Sequence, residues 1–148
     1  MKIRPASIND FDELYRIGKS IPELRVSAIE EFMDADEFKL AITGPDDVFL
    51  IAEENKRIIG FILAYAKDVH RPVKNKYACI VYLVVLPEFR RKGIATKLYS
   101  ECIERLKKMG STHVYAWANV EGKGEIIVFL RKQGLAKGHK YVWMDKRL

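Results

Sequence analysis

The sequence has little cysteine and no long apolar run, and each absence excludes a class of protein. Only two cysteines occur, Cys79 and Cys102, and both fall in apolar stretches. We therefore expect buried thiols rather than a disulfide framework or a metal-ligand pair. No apolar run approaches the length that spans a membrane, and no charged, apolar and small-residue series marks a signal peptide. A cytoplasmic protein with no membrane partner and no metal is the simplest expectation.

What the sequence does contain is typical of a basic globular domain. Residues 1–148 fit one domain by length, and 49% apolar with 31% charged residues favours a folded chain over a disordered one. The formal charge of +6 is compatible with nucleic acid, a membrane surface or an anionic ligand. Because no RNA-binding or zinc-finger signature is present, we expect no nucleic-acid partner. An anionic cofactor accounts for the cations clustered at 90–92.

The most informative stretch, residues 80–109, reads as strand, tight loop and helix. The apolar, β-branched run 80–86 is typical of a buried strand, and Pro87 ends it because it has no N–H to donate. Apolar residues then recur at helical spacing from about Gly93 to Met109. Gly110 stands where a left-handed residue would end the helix.

The loop between this strand and helix has the composition of a phosphate site. Gly93 and Ala95 have little bulk, so a ligand can approach the backbone closely. The free N–H groups and positive dipole end of a helix N-terminus favour an anion, and three cations precede Ile94. The same composition also fits a basic turn that opens a surface helix, since short glycine motifs are weak signals.

The remaining elements alternate in type along the chain. Strands are predicted at 1–5, 48–53, 58–66, 113–119 and 140–147, and helices after the capping patterns at 7–10 and 27–30, from residue 36, and over 125–133. Gly60 interrupts the second hairpin strand, which indicates a bulge or a close approach of another backbone. The element order is β-α-α-β-β-β-α-β-α-β.

This order, together with the loop, resembles the GNAT family of N-acetyltransferases. The matching residues are Val85-Leu86-Pro87, the aromatic Phe89, and then Arg90, Gly93 and Ala95 at the start of an amphipathic helix. In that family the loop holds the pyrophosphate of acetyl-CoA. The resemblance therefore implies acetyl-CoA as co-substrate, bound by Arg90, Arg91, Lys92, Gly93, Ile94, Ala95 and Thr96.

The resemblance also implies the fold. It is an α/β (α+β) fold with a mixed, mostly antiparallel central sheet of six to seven strands and about four helices on both faces. In such a fold the central strand separates from the next one, and Leu83, Val84 and Val85 would pair with the pantetheine arm as an added strand would. The alternative is that these three residues belong to an ordinary core strand.

The C-terminal part departs from the family pattern Asn-x-x-Ala-x-x-x-Tyr-x-x-x-Gly-Phe. Gly134-Leu135 matches its end, but Leu130 stands in place of the tyrosine that donates a proton to the CoA thiolate. The Asn position falls on Lys123, which leaves Asn119 as the nearest asparagine. By position, Leu130 and Asn119 are assigned to the cofactor site.

A general base is also missing from its usual place. Relatives often carry a carboxylate on the central strand at the positions of Val81 or Tyr82, and there is none here. Tyr82 is the candidate catalytic residue, but a phenol with a pKa near 10 must be shifted to act as a base and otherwise walls the substrate pocket. His70 and His113 are further candidates, because an unperturbed imidazole titrates near 6.5.

The function implied by the resemblance is acetyl transfer from acetyl-CoA to a primary amine by direct attack. The acceptor would be a small molecule or a peptide, and the protein a monomer or a homodimer. The missing tyrosine and carboxylate favour a different class, a non-catalytic acyl-CoA-binding sensor domain. Turnover of acetyl-CoA with a panel of amines distinguishes the two.

Overall fold

Five strands form one mixed sheet, in chain order, in the computed structural model, which describes residues 1–148. The first three neighbouring pairs are antiparallel, and the last pair is parallel. The strands are β1 (Lys2–Pro5), β2 (Asp47–Glu54), β3 (Arg57–Tyr65), β4 (Tyr77–Val85) and β5 (His113–Ala116).

Four helices cover the two faces of this sheet. They are α1 (Phe11–Ser20), α2 (Ala35–Thr43), α3 (Ile94–Met109) and α4 (Glu125–Lys132). Helix α3 agrees with its predicted limits, and Gly110, with φ of 102°, ends it in the left-handed conformation. Gly134 follows α4 with φ of 89°, also as expected.

Each face of the sheet has its own core. One cluster joins alternate residues of β2, β3 and β4 to Leu98, Cys102 and Leu106 of α3 and Leu130 of α4. The other joins the opposite residues of the same strands to α1 and α2 through aromatic contacts centred on Phe38. Burying both faces explains why the central strands read as continuous apolar runs. Cys79 and Cys102 are buried free thiols, as predicted.

Strands β3 and β4 approach each other closely at Gly60, a residue of the hairpin formed by β2 and β3. Asn55 and Lys56 form its turn with positive φ values of 51° and 64°. A Cβ built on Gly60 would lie 2.6 Å from the carbonyl oxygen of Val84. The predicted close approach at Gly60 is therefore confirmed, and a larger residue there would push β4 away.

Three sequence-based predictions are wrong in the structure. The sheet has five strands instead of six to seven, because residues 140–147 form no strand. Strand β5 ends at Ala116, three residues before the predicted limit, so little edge is available for a further strand. No helix follows Ser27; its hydroxyl instead accepts the N–H groups of Ile29 and Glu30 in a turn.

Candidate active site

Strands β4 and β5 separate halfway along β4. Parallel pairing joins Tyr77 to His113 and continues only to Ile80 and Ala116. Strand β4 runs five residues further, to Val85, with no neighbour on that edge. A register shift between Leu63 and Ala64 of β3 falls opposite the point of separation. The result is a stretch of central strand with one open edge inside the fold.

Backbone direction decides which residues present polar groups to this open edge. The N–H of Leu86 donates to the carbonyl of Ile59 on the β3 side (3.0 Å). Because successive residues of a strand alternate, the backbone groups of Val85 and Leu83 face away from β3. Consistent with this, the carbonyl of Val85 accepts a hydrogen bond from Arg90 Nε (3.0 Å).

Val84 differs from these two neighbours. Its carbonyl oxygen lies against Gly60 of β3, and its side chain is buried in the core beneath α1 and α2. Of the three residues predicted to pair with pantetheine, Leu83 and Val85 therefore have backbone groups directed at the open edge, and Val84 does not. The sequence could not separate them, because all three are similar apolar residues in one run.

The loop after β4 turns sharply into α3. Pro87–Phe89 forms a 3-10 turn, and Arg91 and Gly93 have positive φ values of 63° and 75°. Helix α3 begins at Ile94 with no side-chain cap and no acidic residue in its first turn. The N–H groups of residues 93–96 have no acceptor within the chain. Together with the left-handed residues, they form the kind of concave N–H array that binds anions.

Space for a ligand is available at this array. A Cβ built on Gly93 meets no atom within 4 Å, so the protein leaves the region in front of the glycine open. The side chains of Arg91 and Lys92 are exposed beside it. Ala95 and Thr96, on the first turn, complete the predicted group. An anion placed here would meet free donors, the helix dipole and two exposed cations.

Arg90 has a different environment from the other loop cations. Its Nε donates to Val85, and its Nη1 lies 3.6 Å from Glu125 of α4. These contacts tie the end of β4 to the start of α4, so this guanidinium supports the loop instead of pointing freely from it. A cation that the sequence did not suggest, Arg57 of β3, lies 5.3 Å from the ring of Phe89 and pairs with Glu88 (2.6 Å). Lys92 approaches the same ring from 5.2 Å.

The two residues assigned from the C-terminal pattern lie in different places. Leu130 is buried with Ile94 and Leu98 in the core on the α3 side, next to the first turn of α3. Asn119 is exposed, and its Nδ2 donates to the carbonyl of Glu23 (3.3 Å) between α1 and α2. The structure therefore places Leu130 on the α3 side of the sheet and Asn119 on the opposite side.

Tyr82 lies on the α1 and α2 side of β4. Its ring stacks on Phe32 at 5.0 Å, and burial raises the pKa of Tyr82 to about 12. A base for an amine needs a pKa near the working pH, so this shift favours a pocket wall over a proton acceptor. His70 pairs with Asp46 (2.9 Å), and His113 stacks on Tyr77 at 4.7 Å; neither contacts Tyr82.

No metal centre and no membrane-spanning helix accompany this site. No group of three or more His, Cys, Asp or Glu side chains is placed to hold a metal ion. None of the helices is both long enough and apolar enough to cross a bilayer.

Comparison with known proteins connects this geometry to a family. Among curated proteins, the uncharacterized N-acetyltransferase MJ1207 of Methanocaldococcus jannaschii is 34% identical over 94 residues. That stretch covers 64% of this chain and 42% of the relative, so the chain spans less than half the length of that protein.

Two solved structures share the fold at low identity. The aminoglycoside acetyltransferase meta-AAC0020, from an uncultured soil metagenomic sample and in complex with sisomicin, has a TM-score of 0.75 at 18% identity, covering 99% of this chain and 95% of that one. The aminoglycoside N-acetyltransferase AAC(6')-Iy in complex with CoA has a TM-score of 0.74 at 16% identity, covering 99% and 100%.

The family model described as the acetyltransferase (GNAT) family matches residues 9–135, which include every element from α1 to α4. The predicted mixed sheet with helices on both faces is confirmed, with five strands. On this match the chain belongs to the acetyltransferase (GNAT) family.

Proposed function

We propose that this protein transfers an acetyl group from acetyl-CoA to a primary amine by direct attack. The observation that supports this most is the adjacency of two unsatisfied backbone surfaces. The free N–H groups at residues 93–96 and the open edge of β4 are joined by a loop of only a few residues. A ligand that carries both a pyrophosphate and an extended amide-containing arm satisfies both, and coenzyme A is such a ligand.

In this proposal, backbone groups bind and position acetyl-CoA. The N–H groups that begin α3 donate hydrogen bonds to the pyrophosphate oxygens, with Arg91 and Lys92 as flanking charges. Leu83 and Val85 take the pantetheine amides at the open edge as an added strand would. Arg90 holds the carbonyl of Val85, which keeps this edge in place.

The proposed reaction requires no side chain as a general acid or base. Acetyl-CoA supplies an activated thioester, and the amine must be neutral to attack its carbonyl carbon. The N–H of Val85 at the open edge is placed to polarise a carbonyl, an oxyanion-type contribution. Leu130 has no proton to donate, so CoA leaves as the unprotonated thiolate. Because the pKa of the CoA thiol is not far above 8.5, the thiolate is an adequate leaving group at neutral pH. Water carries the proton of the amine, and positioning supplies most of the acceleration.

The acceptor is proposed to be a small molecule or a peptide. The fold relative meta-AAC0020 was crystallised with sisomicin, and AAC(6')-Iy with CoA, which supports a small-molecule amine and a CoA donor. Tyr82 lies on the sheet face opposite the core that contains Leu130. Donor and acceptor can thus approach the open edge of β4 from two sides.

A second function, a non-catalytic acyl-CoA sensor, is favoured by two observations. The pKa of Tyr82 is raised to about 12 by burial, and no carboxylate stands on β4. A domain that only binds acyl-CoA needs neither an acid nor a base. It would share the thermal response to the ligand but would release no CoA.

The test combines binding and turnover. Acetyl-CoA should raise the melting temperature through ligand linkage, whereas acetate should not. Free CoA release is then followed by a thiol reagent with a panel of primary amines, a secondary amine serving as control. Stabilisation with amine-dependent CoA release supports transfer, and stabilisation without release for any amine supports the sensor. No stabilisation at millimolar acetyl-CoA contradicts both.

A further inference from the structure

Aromatic rings lie side by side on the part of the sheet that α1 and α2 leave uncovered. These two helices pack on β3 and β2, and side chains of β5 alternate between the two faces of the sheet. Val114 and Ala116 of β5 pack into the core on the α3 side, so the residues between them face the opposite side. The rings on that side, which we call the aromatic row, are those of Tyr77, His113, Tyr115, Trp117 and Tyr141.

The rings of the aromatic row follow one another at short intervals. Tyr77 and His113, which are paired across β4 and β5, stack at 4.7 Å. Tyr115 lies 6.4 Å from Tyr77 and 6.3 Å from Trp117. Tyr141, from the C-terminal segment, meets Trp117 edge to face at 5.6 Å. Two strands and the C-terminal segment therefore form one continuous aromatic surface.

Several of these rings are open to solvent. Trp117 and Tyr141 are 68% and 69% exposed, and Tyr77 is 40% exposed. The hydrophobic effect favours burial of such large rings, and a single exposed one needs no explanation. A contiguous group of exposed rings, in contrast, is typical of an interaction surface.

The positive charge of the chain is concentrated in the two segments that border this row. Residues 67–76 and 131–148 contain ten Lys and Arg and two Asp, whereas the rest of the chain contains 16 Lys and Arg and 18 Asp and Glu. The first segment reaches the row through Lys67, whose ammonium lies 5.9 Å from the ring centroid of Tyr115. The second segment contributes Tyr141 to the row, directly after Lys140.

The two acidic residues of these segments leave most of this charge uncompensated. Asp68 is buried, and its carboxylate pairs with both Arg71 (2.9 Å) and Lys67 (3.4 Å). Lys74 and Lys140 are exposed and make no ion pair, so they are available to an anion.

Exposed acidic residues come near the row at one end. Asp145 accepts a hydrogen bond from Ser27 (2.7 Å), and Asn119 donates to the carbonyl of Glu23 (3.3 Å). An anionic chain would therefore lie along the rings between the two basic segments and away from these contacts.

Aromatic rings between two cationic segments match the chemistry of a single-stranded nucleic acid. Bases stack on such rings with little regard to sequence, while Lys and Arg neutralise the phosphates. A lipid surface is typically met by an amphipathic helix with aliphatic side chains on one face. The aromatic row lies on strands and contains no aliphatic side chain, which favours the nucleic acid.

We propose that the aromatic row and its two basic borders bind single-stranded nucleic acid, with bases on the rings and phosphates on the flanking cations. This surface lies outside the loop at 90–96 and does not depend on acetyl transfer. The sequence predicts no nucleic-acid partner because it contains no local signature of one. The row is assembled from three separate segments, so a local signature is not expected.

Binding is measured by fluorescence anisotropy with short labelled strands of oligo(U) and oligo(dT) and with a DNA duplex. Both single strands should bind more tightly than the duplex, and the tighter of the two identifies RNA or DNA as the source. With about four phosphates contacted, the Kd should rise about fiftyfold between 50 and 200 mM salt. Saturating acetyl-CoA should leave this Kd unchanged, because the cofactor loop is a different surface.

Ring variants test the stacking part of the proposal. Trp117→Leu and Tyr141→Leu should each weaken binding of the single strand about tenfold, since each removes one stacking face. Both side chains are exposed, so the melting temperature should change little. Trp117→Phe keeps an aromatic face and should restore most of the affinity.

Charge variants test the phosphate part. The double variant Lys74→Gln, Lys140→Gln should weaken binding of all sequences alike and make the Kd less dependent on salt. The matched control is Lys107→Gln, Lys108→Gln, which removes two exposed charges from the last turn of α3 on the other face of the sheet. This control should leave the Kd within about twofold of the wild type.

The opposite results overturn the proposal. Equal affinity for duplex and single strand that survives both ring variants would mean that only unspecific charge attraction is present. Loss of binding in saturating acetyl-CoA would place the nucleic acid on the cofactor loop. Binding to phosphatidylglycerol vesicles without binding to either oligonucleotide would make the surface a membrane contact. None of these results bears on acetyl transfer, which CoA release tests separately.

Discussion

The two sides of the candidate active site are built in opposite ways. The proposed cofactor side, residues 83–96, is one continuous stretch whose donors are backbone N–H groups and whose flanking charges are basic. The proposed acceptor side depends instead on contacts between side chains that are far apart in sequence: Phe32 stacks on Tyr82, and Ser27 donates to Asp145.

This contrast explains why one side was visible in the sequence and the other was not. A backbone site demands small residues and special φ values at fixed spacing, which leaves a local pattern such as that at Arg90, Gly93 and Ala95. A side-chain site can be filled by residues from anywhere in the chain. Nothing near Ser27 indicates that its hydroxyl binds Asp145.

The largest effect should come from breaking the cofactor side at its glycine. In Gly93→Val, a branched side chain occupies the open space before the N–H array and strains the positive φ. Losing two charge-assisted hydrogen bonds costs about 3 kcal/mol, so the Kd of acetyl-CoA should rise about a hundredfold, measured by calorimetry. The matched control is Gly110→Val, which also places a branched residue at a positive φ, at the other end of α3. Equal acetyl-CoA affinity in a folded Gly93→Val would show that the loop is only a turn.

An intermediate effect should come from disturbing the acceptor side through the core. A Cβ on Gly18 of α1 would overlap the buried ring of Phe32, which stacks on Tyr82. We expect Gly18→Ala to lower the free energy of unfolding by about 1–3 kcal/mol, as overpacking does, and to raise the KM of the amine. Urea denaturation and acceptor kinetics measure the two effects. The Kd of acetyl-CoA should stay as in the wild type; a parallel loss there would mean that the two sides are not independent.

The smallest effect should come from removing the phenol of Tyr82. Burial raises its pKa to about 12, so at pH 8 the phenolate fraction is about one in ten thousand, and Tyr82→Phe should keep kcat within about threefold. The stability consequence has a definite sign. The phenol in the unfolded chain ionises first, so the stability that it contributes is present below pH 10 and is lost as the pH rises towards 12.

Kinetics and denaturation check both parts of this prediction. Wild type should lose more stability than Tyr82→Phe between pH 8 and pH 11, in urea titrations, because the remaining tyrosines are common to both proteins. A hundredfold drop in kcat with intact binding of both substrates would instead place the phenol in proton transfer.

Much of the fold could be predicted because the local sequence signals of most helices and strands agree with the tertiary structure. The glycines at 110 and 134, the Pro87 strand end and the apolar periodicity of α3 each agreed with the tertiary context. The errors fell where local pattern and context disagree. The segment 140–147 has strand-forming residues, but a strand needs a partner, and β5 stops at Ala116. Ser27 has a capping pattern, yet it closes a turn.

Sequence alone was enough to locate the strand, loop and helix of residues 80–109 and to identify their family. This is because a backbone binding loop requires particular residue types at neighbouring positions, and these leave a local sequence pattern. Tertiary structure was needed to show that Leu83 and Val85, but not Val84, face the open edge, since strand direction depends on pairing with β3. It was also needed to bring Phe32 onto Tyr82, Trp117 to Tyr141 and Ser27 to Asp145. Contacts between distant segments follow from how the whole chain packs, and no local pattern records them.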